Sequence, residues 1–203
     1  MTKSNPFSTR FVRPGGIPYI GLEPDEVCEL AKRFIGCQMR GQIVGRHGAG
    51  KSTLTFPLAQ AINNQLQEMG LAQGLDVRRI VIDSSKSIRD STNWQPTDHT
   101  FKKLLVVDGI ERLSRWHRLA MLSNLRSRSI GVLVTTHQEI LELPVLIQLR
   151  PDVKTLMRLV ERLAPTTIGQ PGFKSHELEQ LMESHNGNIR ECLMALYDVY
   201  ETL

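Results

Sequence analysis

The sequence has few cysteines and no long apolar run. Its 203 residues include three cysteines, an odd number with no C-x-x-C pair, so free thiols in a buried setting are expected. No stretch of 18 apolar residues occurs, which excludes a membrane-spanning helix. Residues 1–14 also lack the apolar run of a secretory signal. These absences favour a protein of the reducing cytoplasm.

The composition is that of an ordinary globular protein. Hydrophobic residues make up 40% of the chain and charged residues 23%. The length predicts one domain, or one domain with a small appendage, and suffices for a proper core. The net charge of +4 is compatible with nucleic-acid binding but does not require it.

Residues 45–52 carry the most specific motif. They read Gly-Arg-His-Gly-Ala-Gly-Lys-Ser and fit the phosphate-binding loop (Walker A) pattern G-x-x-x-x-G-K-[ST]. Glycines allow a tight turn that brings backbone N–H groups close to an anion, and a helix starting near Gly50 would add the positive end of its dipole. Lys51 can reach the β- and γ-phosphates, and the Ser52 hydroxyl can hold a magnesium ion. The predicted nucleotide-binding residues of this segment are Gly45, Arg46, His47, Gly48, Ala49, Gly50, Lys51, Ser52 and Thr53.

Strands and helices are predicted to alternate along the chain. The apolar runs predict strands at 41–44, 79–83, 104–108, 130–135 and 145–149. Helical spacing predicts helices at 24–36, from the loop to about Met69, and at 111–128, 138–142, 151–163, 175–185 and 187–202. This alternation implies an α/β three-layer sandwich, with a parallel sheet of about five strands and helices on both faces.

Three regions are predicted: an irregular arm at 1–22, a nucleotide-binding domain at 23–163 and a small helical lid at 164–203. The arm is rich in proline and glycine, and its segment 14–19 could lie against a nucleotide base. Residues 164–174, with two prolines and two glycines, resemble a hinge-like linker. The polar run 84–103 is long for a compact domain and predicts either a short helix or a mobile functional loop.

Acidic and polar residues follow two of the strands. Asp108 closes a buried strand and is the predicted second magnesium ligand beside Ser52. Glu111 is the first candidate to activate water, and His137 is the second. Thr135 and Thr136 could hydrogen-bond the γ-phosphate or the water.

Taken in order, these motifs resemble the additional-strand P-loop ATPases, namely the AAA+ class and the related STAND ATPases. The segment 108–111 resembles the metal-binding segment of NACHT-like members, and 135–137 resembles their polar sensor. The segment 187–191 resembles a lid sensor whose arginine, here Arg190, touches the γ-phosphate. The resemblance implies the sheet order 5-1-4-3-2.

The chain also departs from this pattern. Gly109 follows Asp108 where typical AAA+ ATPases carry a glutamate, which argues against fast hydrolysis. No arginine occurs between His137 and Val145, which argues against a hexameric ring. The short lid excludes a full signalling STAND protein.

The sequence therefore predicts an ATP-binding, slow, Mg²⁺-dependent ATP hydrolase that acts as a nucleotide-dependent switch or accessory. The expected partners are ATP and ADP, with a protein partner or self-association. One alternative is a P-loop kinase for a small molecule or nucleotide, with Lys86 and Arg89 on its lid. A second alternative is a DNA-binding accessory ATPase that uses ATP only for shape. A basic strip formed by Arg112, Arg115 and Arg118 could contact nucleic-acid phosphates or act as an arginine finger in trans. The absence of an [NT]-K-x-D segment argues against a GTPase.

Overall fold

The computed structural model describes residues 5–13, 16–82 and 101–202, with the backbone only for Phe101. Most of the polar run predicted at 84–103 lies outside these residues. So do Lys86, Arg89 and the first two residues of the arm segment 14–19.

The described residues form a five-stranded sheet. Its strands are β1 (Arg40–Gly45), β2 (Gly74–Val81), β3 (Phe101–Asp108), β4 (Ile130–Thr136) and β5 (Val145–Leu149). The order across the sheet is β2-β3-β4-β1-β5, which confirms the predicted order. The β2–β3, β3–β4 and β1–β4 pairs are all parallel, so the carboxyl ends of these four strands share one edge.

Two strands begin earlier than the sequence predicts. β2 starts at Gly74 instead of the predicted residue 79, and β3 starts at Phe101 instead of the predicted residue 104. The two strands pair in parallel over their full length, from Gly74 opposite Phe101 to Val81 opposite Asp108. β2 has only one fully buried residue. Apolar patterning therefore marked only part of it, because an edge strand needs backbone pairing more than burial.

Six α-helices occur within the described ranges. They are α1 (Pro24–Gly36), α2 (Lys51–Glu68), α3 (Arg115–Ser127), α4 (Val153–Leu163), α5 (Ser175–Ser184) and α6 (Ile189–Glu201). None of these is long and apolar enough to cross a membrane.

The helix predicted at 111–128 was wrong in part, and the helix predicted at 138–142 was wrong throughout. A short 3-10 turn, Ile110–Arg112, precedes α3, and α3 starts only after Ser114, whose hydroxyl accepts from the His117 N–H at 3.4 Å. Such an N-cap sets the start of a helix. Residues 138–142 form a bend and a turn instead of a helix, because the carbonyl and the N–H of Ile140 both bond to the Gln42 side chain of β1.

The chain divides into two compact units. The first comprises Met1–Glu23, Arg46–Leu54 and Leu149–Leu203, and the second comprises Pro24–Gly45 and Thr55–Gln148. α4 thus groups with α5 and α6 in the first unit. The domain bounds at 23–163 and 164–203 remain a prediction.

The first unit has its own apolar core, built from α4, α5, α6 and the arm. Phe7 of the arm stacks on Phe173 with ring centroids 5.8 Å apart, and both side chains are buried. The expected hinge-like linker at 164–174 contributes Phe173, Ala164 and Thr167 to this buried set. This segment is therefore packed within the first unit, and its role as a hinge stays a prediction.

The second unit has its core between the sheet and α3. Buried side chains of β3 and β4, such as Leu105 and Val134, pack there with Leu122 and Leu125 of α3. Packing against this helix covers one face of the two strands.

All three cysteines are free, as the sequence predicted. Cys192 is buried in the first unit, whereas Cys28 and Cys37 are half-buried. Burial raises the pKa of the Cys192 thiol to about 11, so this thiol is an inert part of the core.

Candidate functional site

The predicted phosphate loop connects the end of β1 at Gly45 with the start of α2 at Lys51. Gly48 has a φ of 70° and Gly50 a φ of 83°, conformations that other residues rarely adopt. The Ala49 N–H donates to the Arg46 carbonyl at 3.3 Å and closes the turn. The backbone thus has the tight form that the motif predicts, in the predicted strand–loop–helix order.

Lys51 lies over this turn. Its side chain is buried, and its Nζ donates to the Arg46 carbonyl oxygen at 2.8 Å. The first turn of α2 carries no acidic side chain, so nothing on it opposes an anion at the positive end of the helix. The loop and the start of α2 therefore combine an ammonium group, a helix terminus and the Ser52 hydroxyl.

The start of α6 lies against the same loop within the first unit. A Cβ atom added to Gly48 would overlap the Asn188 side-chain oxygen and would lie 3.3 Å from the Arg190 backbone nitrogen. Asn188 is the N-cap of α6, and its Oδ1 accepts from the Glu191 N–H at 3.3 Å. The structure therefore places the backbone of Arg190, the predicted phosphate sensor, against the loop.

The arm contributes a second neighbour of the loop. A Cβ atom added to Gly50 would lie 3.1 Å from Cε2 of the half-buried Tyr19. Ile17 and Ile20 pack against the core of the first unit and hold this part of the arm. The predicted arm segment thus reaches the loop through Tyr19.

In the second unit, Asp108 ends β3 directly opposite Thr135 of β4. The Thr135 hydroxyl donates to Asp108 Oδ1 at 2.6 Å, and Thr135 is buried. A short hydrogen bond to a carboxylate fixes its orientation. Asp108 is therefore held in place at the carboxyl edge of the sheet.

Thr136 does not share this arrangement. Its side chain is fully buried and its hydroxyl donates to Gln42 Oε1 at 3.4 Å. The structure brings Thr135, but not Thr136, to Asp108. Successive residues of a strand point to opposite faces, which explains the difference.

The two residues predicted to activate water lie together. His137 Nε2 is 3.5 Å from Glu111 Oε1, and the two side chains are 33% and 25% exposed. The other carboxylate oxygen of Glu111, Oε2, is buried and has no hydrogen-bond partner among the described residues. A carboxylate with one oxygen beside an imidazole and the other uncommitted has the chemistry of a general base.

Gln42 of β1 organises the segment after β4, and the sequence analysis missed it. Its side chain is fully buried; its Nε2 donates to the carbonyls of Ile140 and Leu143 at 2.6 Å each, and its Oε1 accepts from the Ile140 N–H at 3.0 Å. These bonds hold the turns that follow His137. A glutamine in an apolar strand was the available signal, since a buried amide requires partners.

The arginines of the predicted basic strip do not lie on one helix face. Arg112 belongs to the 3-10 turn and its Nη1 donates to the Ile82 carbonyl at 3.1 Å. Arg118 is mostly buried and bonds to the Leu113 carbonyl at 3.2 Å and to Glu142 Oε1 at 3.3 Å. The three-residue strip was therefore a wrong interpretation, because α3 starts at Arg115.

The fold is shared with solved structures of low sequence identity. No family model matches the chain, and a search of curated proteins also finds no match. The ORC2 protein of Aeropyrum pernix, solved in ADPNP-ADP complexes, is 14% identical with a TM-score of 0.62, over 96% of this chain and 65% of that chain. The ORC1 protein of the same organism, solved in complex with DNA, is 12% identical with a TM-score of 0.65, over 93% of this chain and 62% of that chain.

A third similar structure is C. elegans PCH-2, which is 12% identical with a TM-score of 0.50, over 89% of this chain and 68% of that chain. These similarities, with the strand order, establish the fold, an α/β three-layer sandwich of the P-loop NTPase type. The chain spans somewhat less than two thirds of the length of the two ORC proteins.

Proposed function

We propose that this chain binds ATP and acts as a slow, Mg²⁺-dependent ATPase that works as a nucleotide-dependent switch. The observation that carries the proposal is the phosphate loop in a P-loop NTPase fold. Its two positive-φ glycines and the buried Lys51 lie directly at the start of α2. This combination of turned backbone, ammonium and helix terminus suits a triphosphate.

Magnesium would be held by Ser52 and Asp108. Both supply oxygen, the ligand type that Mg²⁺ prefers. The Thr135 hydroxyl orients the Asp108 carboxylate at 2.6 Å. The ion would neutralise charge on the phosphates.

Glu111 would accept a proton from the attacking water, and His137 would position it. The buried, uncommitted Glu111 Oε2 supports this role. A glycine with a φ of 81° and the start of a 3-10 turn separate this acid from Asp108. This spacing differs from two adjacent acids, which is why slow hydrolysis is proposed.

Arg190 would contact the γ-phosphate and would thereby couple the bound nucleotide to the C-terminal helices α5 and α6. Its backbone borders Gly48, and its helix α6 belongs to the same compact unit as the loop. A charged hydrogen bond made with ATP but not with ADP would give the tail two nucleotide-dependent states. The STAND assignment and a cytoplasmic location are proposed on the sequence features given above.

The kinase and the DNA-binding accessory ATPase remain as alternatives. The residues that suggested a kinase lid, Lys86 and Arg89, lie outside the described part of the chain. Similarity to an ORC1 protein solved with DNA favours the accessory over the kinase.

The deciding experiment compares ATP binding to the parent chain and to Lys51→Ala by calorimetry. We expect loss of tight binding with an unchanged melting temperature, since Lys51 supplies charge to the phosphates. Unchanged affinity would remove the proposal.

Asp108→Asn should weaken binding mainly when Mg²⁺ is present. Equal losses with and without the ion would give Asp108 a structural role.

Phosphate release then separates the three functions. An ATPase releases phosphate from ATP and water alone, and Glu111→Gln should abolish this release. A kinase requires an acceptor from a panel of small molecules and nucleotides. An accessory ATPase is stimulated by DNA.

A further inference from the structure

The outer side of α3 carries an aromatic ring in an unusual setting. Trp116 is 80% exposed, about twice the exposed fraction of Phe11, Phe56 or Tyr197. Tryptophan is normally well buried because its ring is large and apolar. Leu119, three residues after Trp116 on the same helix, is also exposed, at 39%, so the two side chains together form an apolar patch on α3.

The surface beside Trp116 is open. Ala120, Ser123 and Ser127 follow Trp116 at the spacing of one helix row, and all three are exposed. Their side chains are too small to cover the ring or to project far from the helix. Trp116 therefore stands at one end of a row of small exposed residues, called the shelf below, which leaves room for a flat ligand beside the indole.

This surface is also basic. α3 contains three arginines and no aspartate or glutamate. Arg115, Arg126 and Arg128 are exposed. Arg126 lies ten residues after Trp116, which corresponds to about 15 Å along the helix axis. Cations thus occur at both ends of the shelf.

One acidic side chain, that of Glu142, pairs with two arginines in the first turn of α3 and offsets part of this positive charge. Glu142 Oε1 lies 3.3 Å from Arg118 Nη2 and 3.8 Å from Arg115 Nε. Arg118 is drawn inward by this contact, whereas the Arg115 side chain remains 70% exposed. Arg115 therefore keeps a position from which it can also meet a ligand beside Trp116.

We propose that this surface, comprising Trp116, Ala120, Ser123, Arg115 and Arg126, binds single-stranded nucleic acid. An unpaired base stacks on the indole, and the adjoining phosphates pair with the two guanidinium groups. Stacking and phosphate contacts are the two interactions by which proteins hold single strands without reading their sequence. An acidic protein would match the charge but would not need a flat ring beside a shelf of small residues.

The test is fluorescence anisotropy with two labelled 15-nucleotide probes, oligo-dT and oligo-rU, at low salt. The parent chain should bind at least one of them. Trp116→Ala should weaken that binding about tenfold, since stacking contributes about 1–3 kcal/mol per base. Trp116→Phe keeps a ring and should retain most of the affinity. Met194→Ala, at another exposed apolar position, should change nothing.

Salt dependence tests the cations separately. Arg126→Ala should reduce the slope of log affinity against log salt by about 0.7, the value for one phosphate contact on a single strand. Arg158→Ala, an exposed arginine paired with Glu23, is the matched control and should leave the slope unchanged. Lys51→Ala should bind the probes like the parent, so the outcome is independent of the nucleotide site.

Three results would overturn the proposal. The first is no binding of either probe, and the second is equal binding by the parent and Trp116→Ala. The third is displacement of the probe by polyglutamate as readily as by unlabelled oligonucleotide, which would assign the surface to an acidic protein. Equal competition by duplex DNA would contradict the single-strand preference.

Discussion

The first unit holds the phosphate loop by close packing of side chains against its glycines, whereas the second unit holds its acidic residues by side-chain hydrogen bonds. Around the loop, Asn188 and Tyr19 lie where the side chains of Gly48 and Gly50 would be. At the sheet edge, Thr135 holds Asp108 and Gln42 holds the turns after His137. Adding an atom to a loop glycine should therefore destabilise the first unit, whereas removing a polar group at the sheet edge should destabilise the second unit.

The largest expected effect comes from Gly48→Ala. The change forces alanine into a left-handed conformation and places a methyl group on the Asn188 oxygen. We expect a loss of about 3 kcal/mol in unfolding free energy and loss of tight ATP binding. Urea unfolding and calorimetry measure the two effects.

Gly187→Ala is the matched control. Gly187 also has a positive φ, at 75°, but nothing lies within 4 Å of an added Cβ. It should lose only about 1–2 kcal/mol and keep ATP affinity. Equal behaviour of the two variants would show that contact with Asn188 is unimportant to the loop.

Gln42→Leu tests the effect of removing a buried polar group in the second unit. Leucine has a similar size but leaves the Ile140 N–H and the carbonyls of Ile140 and Leu143 without this partner. The expected loss is about 2–3 kcal/mol in unfolding free energy, since buried polar groups without partners are costly.

Gln60→Leu controls for the loss of an amide, because Gln60 is exposed and, among the described residues, its side chain bonds to Asn64 on the same helix. It should change stability by less than about 0.5 kcal/mol. If Gln42→Leu were as mild, the turns after β4 would not depend on the amide, and the contrast between the units would fail.

Arg190→Ala sharpens the comparison by testing the tail of the first unit. ATP affinity should fall by about 2 kcal/mol while ADP affinity changes little, since the charged hydrogen bond is proposed for the γ-phosphate alone. Calorimetry with both nucleotides decides this. Equal changes for ATP and ADP would leave α6 as a packing element only.

The smallest effect is expected for Glu142→Gln in the second unit. Burial by itself would raise the pKa of Glu142, but its own backbone N–H and the Arg118 and Arg115 guanidinium groups lower the pKa overall. Its stabilising contribution is thus present above the ordinary pKa of a glutamate and is lost as pH falls through the lowered pKa. The variant should be about 1 kcal/mol less stable at pH 7, and the difference should shrink under acid conditions. A difference independent of pH would show that packing, and not charge, explains the change.

The sequence predicted the features of the molecule that depend on local pattern. The glycines at 48 and 50 marked the loop, and alternating apolar runs led to the strand order through the family resemblance. Glu111 and His137, which are 3.5 Å apart, were both named. By contrast, the helix predicted at 138–142 failed because Gln42, nearly one hundred residues away, takes the backbone bonds of that segment.

The same distinction explains the basic strip. Three arginines at three-residue spacing indicate a helix face, but the Ser114 cap places the helix start after the first of them. Glu142, from beyond β4, then draws Arg118 inward. The Ser114 cap is a local signal that the helix prediction overlooked, whereas the contact with Glu142 is long-range and leaves no local signal in a single sequence.

The contact between Asn188 and the loop has a consequence for amide exchange. The Asn188 side-chain oxygen occupies the position that a Cβ atom at residue 48 would take, and the same oxygen accepts a hydrogen bond from the Glu191 N–H. A ligand that shifts the Gly48 backbone must therefore shift the acceptor that protects this amide. Deuterium uptake at Glu191, followed by nuclear magnetic resonance, should respond to occupancy of the loop, so one proton in the C-terminal helix would report an event at a turn well over one hundred residues earlier in the chain.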